Sequence, residues 1–112
     1  MNIDEIKKYL KIDLKQKNRK ELYIYLKCIY INQEKNKGFS FNKIGRDLEL
    51  KSHASVINIL KRTDDFKLDP FFMYVQKAYD NKDDNYIKEY YKMLGLRYKE
   101  QRQTHKEKLL KK

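Results

Sequence analysis

This chain of 112 residues carries 40% hydrophobic residues, 38% charged residues and a formal net charge of +11. Its length suits one domain, and three glycines with one proline supply few of the turns that a many-stranded sandwich or barrel needs. We therefore expect an all-α protein, and its positive charge should attract polyanions. No apolar run approaches the roughly 18 residues of a membrane-spanning helix, and no signal-peptide pattern follows Met1. We expect a cytoplasmic protein that does not bind membranes.

The N-terminal third has the apolar spacing of two helices. Apolar residues three and four apart over residues 3–14 predict a first helix. Asn18 is placed to cap a second helix, with Glu21 completing a capping box. Its buried face continues through Tyr30, and the polar stretch 32–38 predicts a loop.

Two short helices are predicted in the middle of the chain. Ser40 is an N-cap candidate for a helix through Leu48, and Ser52 offers a second capping hydroxyl. The inner stripe of the following helix, which extends to about Thr63, consists of Val56, Ile59 and Leu60. Together, residues 40–63 have the outline of a helix-turn-helix.

The C-terminal part begins with an acidic pair, Asp64–Asp65, whose position between periodic segments suits capping and loop roles. Asp69–Pro70 then predicts the start of a helix through about Tyr79. A last helix is expected from Asn85, followed by a basic tail over residues 97–112. We therefore expect a helix-turn-helix domain at residues 1–80 and a C-terminal helical extension with a basic tail at residues 81–112.

The segment from Lys43 to Val56 resembles the C-terminal DNA-binding domain of the bacterial replication initiator DnaA, in the Trp-repressor-like helix-turn-helix group. Ile44 and Gly45 match the Ile-Gly pair of the first helix of that motif. Residues 51–56 fall, with the family's spacing, on its Arg-Asp-His-Thr-Thr-Val signature. The differences are Ser52 for Asp, Ala54 for the first Thr, and Glu49–Leu50 for two glycines.

The resemblance covers about residues 19–66. It implies a borrowed DNA-reading module, as in small phage and mobile-element proteins, rather than a replication initiator. The family's base-reading positions correspond to Ser52, His53 and Ala54. Arg19 or Lys20 lies near the place of a basic residue that contacts DNA in the family.

The helical period of the same segment predicts a DNA-reading face on its own. If Val56 faces the core, Ala54, Ser55 and Asn58 lie on the opposite side. An alanine can contact the thymine methyl group, and an asparagine can bind adenine through two hydrogen bonds. Basic residues placed to contact phosphates are Lys43, Arg46, Lys51, Lys61 and Arg62.

Catalytic and metal-binding patterns are missing from the sequence. The two histidines, His53 and His105, stand far apart, and the single cysteine, Cys28, is expected to be a buried core residue. There is no glycine-rich phosphate loop and no nucleophile motif. We therefore expect neither an enzyme nor a cofactor.

The leading hypothesis is a small double-stranded DNA-binding protein that regulates transcription or replication. A second hypothesis is a structural or adaptor protein that uses the helix-turn-helix as a scaffold and its C-terminal helix to bind a protein partner or a second copy. A third is non-specific binding of RNA or single strands by the basic tail.

Overall fold

A computed structural model describes residues 1–18 and 20–97, and this part of the chain is all-α with no strand. None of its helices is both long and apolar enough to cross a lipid bilayer. Arg19 and the basic tail beyond Arg97 lie outside the described residues. The helices are α1 (Ile3–Leu10), α2 (Glu21–Asn36), α3 (Phe41–Asp47), α4 (His53–Phe66), α5 (Pro70–Asn81) and α6 (86–97).

Helix α2 lies at the centre of the fold, because α3, α4 and α5 all pack against it. Its apolar residues are buried around most of its circumference, as expected for a helix with neighbours on several sides. The buried apolar side chains of α2 are Leu22, Tyr25, Leu26, Cys28, Ile29, Tyr30 and Ile31.

Helix α1 is shorter than the apolar spacing predicted. Asn2 and Glu5 form a capping box at its start, and Lys11 ends it in the left-handed conformation with φ 59°. Leu14 is buried although it lies beyond the helix. The Tyr86 hydroxyl donates a 2.8 Å hydrogen bond to the Leu10 carbonyl, so α6 satisfies a carbonyl at the C-terminal end of α1.

The expected capping box of α2 is wrong. Lys20 holds the N-cap position without a side-chain hydrogen bond. The Asn18 side chain accepts a 2.9 Å hydrogen bond from the Lys20 backbone N–H instead. Asn18 therefore shapes the turn before the helix.

The predicted loop at residues 32–38 is also wrong over most of its length, because α2 continues through Asn36. Gln33 accepts a 2.6 Å hydrogen bond from the Tyr79 hydroxyl, and its amide donates to the Met1 carbonyl at 2.8 Å. Glu34 is 5% exposed. These long-range contacts keep a polar stretch helical through Asn36, and Gly38, with a φ of 90°, then turns the chain away from the helix.

An aromatic cluster holds the end of α4 against its neighbours. The ring of Tyr25 packs edge-on against Phe66 at 5.0 Å and against Phe72 of α5 at 5.5 Å. Helix α4 therefore extends through Phe66, three residues further than the sequence indicated. Asp64 and Asp65 belong to its last turn, and the expected capping and loop roles are wrong.

The expected starts of α3 and α5 are confirmed. Ser40 accepts a 3.2 Å hydrogen bond from the Lys43 backbone N–H. Asp69 accepts one of 2.8 Å from the Phe71 N–H, and Pro70 occupies the first helical position. These caps fix where each helix begins.

Candidate nucleic-acid interface

Helices α3 and α4 meet at a glycine. A Cβ atom built on Gly45 would lie 3.3 Å from Cγ2 of Val56 and 3.7 Å from the Ser52 carbonyl oxygen. Val56 is fully buried, as is Ile44 beside the glycine. The missing side chain lets the two helices approach closely, which fixes the position of the start of α4.

The turn between the two helices, residues 48–52, passes through a left-handed residue. Glu49 has φ 54°, and the Leu50 N–H donates a 2.8 Å hydrogen bond to the Gly45 carbonyl. The Glu49 carboxylate lies 3.9 Å from Nζ of Lys15, where both side chains are largely exposed. The backbone, more than this ion pair, sets the angle between the helices.

Most of the predicted base-contacting residues are exposed, either at the start of α4 or on its outward side. His53 and Ala54 are exposed in its first turn and Asn58 is exposed one turn further on. Ser55 is less exposed than these residues, because it is half-buried beside Val56. The exposed basic residues on this helix are Lys61 and Arg62.

Ser52 holds the N-cap position of α4, but the expected capping by its hydroxyl is wrong, because its side chain accepts no capping hydrogen bond. The first turn of α4 carries no acidic residue. The positive end of the helix dipole is therefore not neutralised by its own side chains. An exposed helix start of this kind favours contact with an anionic or hydrogen-bond-accepting surface.

A groove of about 470 Å³ runs between α3 and the start of α4. The sequence pattern missed Asn42, which lines it together with four of the predicted contacts. Asn42 and Arg46 are four residues apart on the exposed side of α3, and that spacing was the available signal. The groove is lined by Asn42, Gly45, Arg46, Leu50, Lys51, Ser52 and His53.

Lys43 differs from the other predicted phosphate contacts because its charge is compensated locally. Its Nζ lies 2.7 Å from the Asp47 carboxylate and 4.1 Å from the centre of the Phe39 ring. The same carboxylate accepts a 3.4 Å hydrogen bond from the Tyr30 hydroxyl of α2. Lys43 thus belongs to a network that joins α3 to α2.

The remaining predicted phosphate contacts have no such compensation in the described part of the chain. No ion pair there involves Arg46, Lys51 or Lys61, and all three are exposed. Arg62 lies 5.7 Å from the Phe66 ring centre and is also exposed. Lys20 lines a different groove, between α2 and α6.

The described residues bring together no three His, Cys, Asp or Glu side chains that could hold a metal ion. Cys28 is fully buried as expected, and its thiol donates a hydrogen bond to the Ile59 carbonyl at 3.4 Å. Burial raises the pKa of this thiol, which disfavours the reactive thiolate. Cys28 is a packing residue between α2 and α4.

Comparison with protein families, curated proteins and solved structures gives no match for this chain. The resemblance to the DnaA domain therefore stays a prediction that rests on the residues quoted above.

Proposed function

We propose that this chain is a small double-stranded DNA-binding protein of the cytoplasm that regulates transcription or replication and inserts the start of α4 into the major groove. The carrying observation is the close packing of Gly45 on Val56, which fixes α4 on α3 while His53, at its start, stays exposed. In helix-turn-helix proteins the second helix reads bases with its N-terminal residues. The packing of α3 on α4 supports the same arrangement for this chain.

The backbone of the turn supports the resemblance to the DnaA domain. Gly45 matches a glycine of that family, and here a side chain at this position would have little room. Glu49 stands where the family has glycine, and its φ of 54° lies in the region that glycine adopts at no steric cost. Both positions fit the proposed helix-turn-helix geometry.

The outward face of α4 supplies groups for reading base edges. Ala54 suits the methyl group of thymine, and the Asn58 amide suits adenine. Ser52 and His53 add polar groups at the helix start, and Ser55 contributes less because it is half-buried. The proposed phosphate contacts are Arg46 and Lys51 from the groove and Lys61 and Arg62 from α4.

The test is a selection of bound sequences from random duplex DNA, followed by affinity measurements at several salt concentrations. We expect one enriched motif containing A·T pairs and, for about six neutralised phosphates, a slope of log K against log salt near minus five. Replacing Ser55 and Asn58 together by alanine should abolish the enrichment. Equal binding of all sequences, unchanged in this double variant, would contradict sequence reading.

A second candidate function, as a structural or adaptor protein, is supported by apolar side chains on α6. Tyr91 is 43% exposed and Leu96 is 55% exposed. Tyr91 and Leu94 also line a groove of about 390 Å³ beside Leu22. Light scattering tests this function: a stable dimer that Tyr91→Ser dissociates, with no duplex binding at low salt, would favour it over DNA reading.

A further inference from the structure

The charged residues of α4 are placed opposite to the arrangement that stabilises a helix through its dipole. In α1, Asp4 and Glu5 lie in the first turn and Lys7 and Lys8 in the last, which is the arrangement that stabilises a helix. In α4 the first turn has no acidic residue and the last turn has no basic one. The carboxylates of residues 64–65 lie in that last turn instead. The sequence of α4 therefore enhances the polarity of the helix rather than neutralising it.

Both carboxylates are exposed to solvent on a helix end that is held in position by packing. The side chain of Asp64 is 82% exposed, with Nζ of Lys67 at 3.7 Å, and such exposed pairs neutralise little charge. Asp65 is exposed and forms no ion pair with any described residue. The packing of Phe66 on Tyr25 holds the helix end that carries them.

Asp65 lies on the same side of α4 as the proposed reading face. Ala54, Asn58, Lys61 and Asp65 follow one another at spacings of four, three and four, which place them along one side of a helix. At 1.5 Å per residue, Asp65 is about 16 Å further along the axis than Ala54. The major groove is only about 8.5 Å deep, so a helix that enters by its start keeps Asp65 outside the groove, whereas a helix that lies along the DNA backbone brings Asp65 beside phosphates.

We propose that Asp64 and Asp65 determine how α4 sits on DNA: they repel phosphates from its C-terminal end, so that only its first turns enter the groove. The proposal rests on the proposed function and adds a specificity determinant to the same face. Binding modes in which the whole helix lies along the DNA backbone are penalised. Sequence-independent binding is therefore weakened more than binding to the preferred site.

The test compares Asp65→Asn with Asp80→Asn in the full chain. Asp80 is also exposed and lies in the last turn of a helix, α5, so the two substitutions make the same charge change and give the same relief of the helix dipole. Affinity is measured for the selected duplex and for a random-sequence duplex. Thermal unfolding of both variants shows that the fold is kept.

We expect Asp65→Asn to strengthen binding to random duplex by about fivefold at low salt and to strengthen binding to the selected site less, which lowers the specificity ratio. The gain should shrink as salt rises, because the repulsion is screened. Asp80→Asn should change both affinities by less than about twofold. Equal effects of the two substitutions, or a parallel gain on both duplexes, would overturn the inference while the proposed function stands. No duplex binding by the unaltered chain would overturn both.

Discussion

Gly45 and Val56 form the tightest described approach between a glycine of this chain and a neighbouring helix, with 3.3 Å between an ideal Cβ on the glycine and Cγ2 of the valine. Val56 is fully buried, and its β-branched side chain has one strongly preferred rotamer in a helix. The valine therefore has little freedom to move away. The angle and spacing of α3 and α4 depend on this contact.

Enlarging Gly45 should separate the two helices. We expect Gly45→Leu to lower the free energy of unfolding by about 1–3 kcal/mol, because the added side chain has to displace Val56. Gly95→Leu is the matched control, since a Cβ there meets nothing within 4 Å and leucine is the better helix former. Urea unfolding of both variants measures the difference. Equal stabilities would show that α3 and α4 tolerate a wider separation.

Because residue 49 lies in a left-handed turn, we expect glycine to give a more stable protein than alanine at this position. Glu49→Gly should be more stable than Glu49→Ala by about 1 kcal/mol, because only alanine retains the steric cost of a positive φ. Both variants lose the same carboxylate, so the weak contact with Lys15 cancels in the comparison. Thermal unfolding provides the measurement. A more stable alanine variant would mean that residue 49 does not hold a positive φ.

Capping residues and helical spacing correctly predicted the starts of α3 and α5 and the buried side of α4. Ser40 and Asp69 cap the helices that they were expected to cap, and Val56 is buried at the position that the helical period gives it. In each case the deciding interaction lies within a few residues along the chain. For the same reason the exposed side of α4, with Ala54 and Asn58, was predictable from spacing.

Two of the failures come from contacts between residues far apart in the sequence. The polar end of α2 stays helical because Gln33 is hydrogen-bonded to Tyr79. Helix α4 gains its last turn because Phe66 packs on Tyr25. The compensation of Lys43 is instead local, since Asp47 and Phe39 each lie four residues from it, but the helical period alone did not single out this pairing.

Lys43 and Arg46 should affect DNA binding in different ways. Arg46→Gln removes an uncompensated charge beside the groove, so the salt slope of binding should become shallower by about one. Lys43→Gln removes the contacts with Asp47 and Phe39, so it should lower the free energy of unfolding by at most about 1 kcal/mol and leave the slope unchanged. Affinity titrations at several salt concentrations measure both slopes. A shallower slope in Lys43→Gln would make Lys43 a phosphate contact.

Alkaline pH should destabilise the fold through its buried tyrosines. Burial raises the pKa of Tyr25, Tyr30, Tyr79 and Tyr86. The folded chain keeps these phenols protonated, while the unfolded chain loses the protons above about pH 10. The free energy of unfolding is therefore unaffected below that pH and falls as the pH rises above it. Each tyrosine contributes up to about 1.4 kcal/mol per pH unit.

Urea unfolding between about pH 7 and pH 11 tests this pH dependence. Tyr86→Phe should make the free energy of unfolding fall less steeply with pH, because one of these four buried phenols is no longer there to titrate. It should also lower the free energy of unfolding by about 1 kcal/mol at neutral pH, because the Leu10 carbonyl loses its hydrogen bond. Stability that stays constant up to the highest pH would contradict the expected burial of these phenols.

The most direct test of DNA reading by α4 compares Asn58→Glu with Gln76→Glu in binding to the selected duplex. Both substitutions turn an exposed amide into a carboxylate, but Asn58 lies on the outward face of α4 and Gln76 lies on α5, beside the groove that Thr63 and Tyr79 line. We expect Asn58→Glu to weaken binding by about 100-fold, because a carboxylate replaces the adenine-reading amide and faces the DNA. Gln76→Glu should weaken it by less than about threefold. Equal losses in the two variants would contradict the claim that α4 reads DNA.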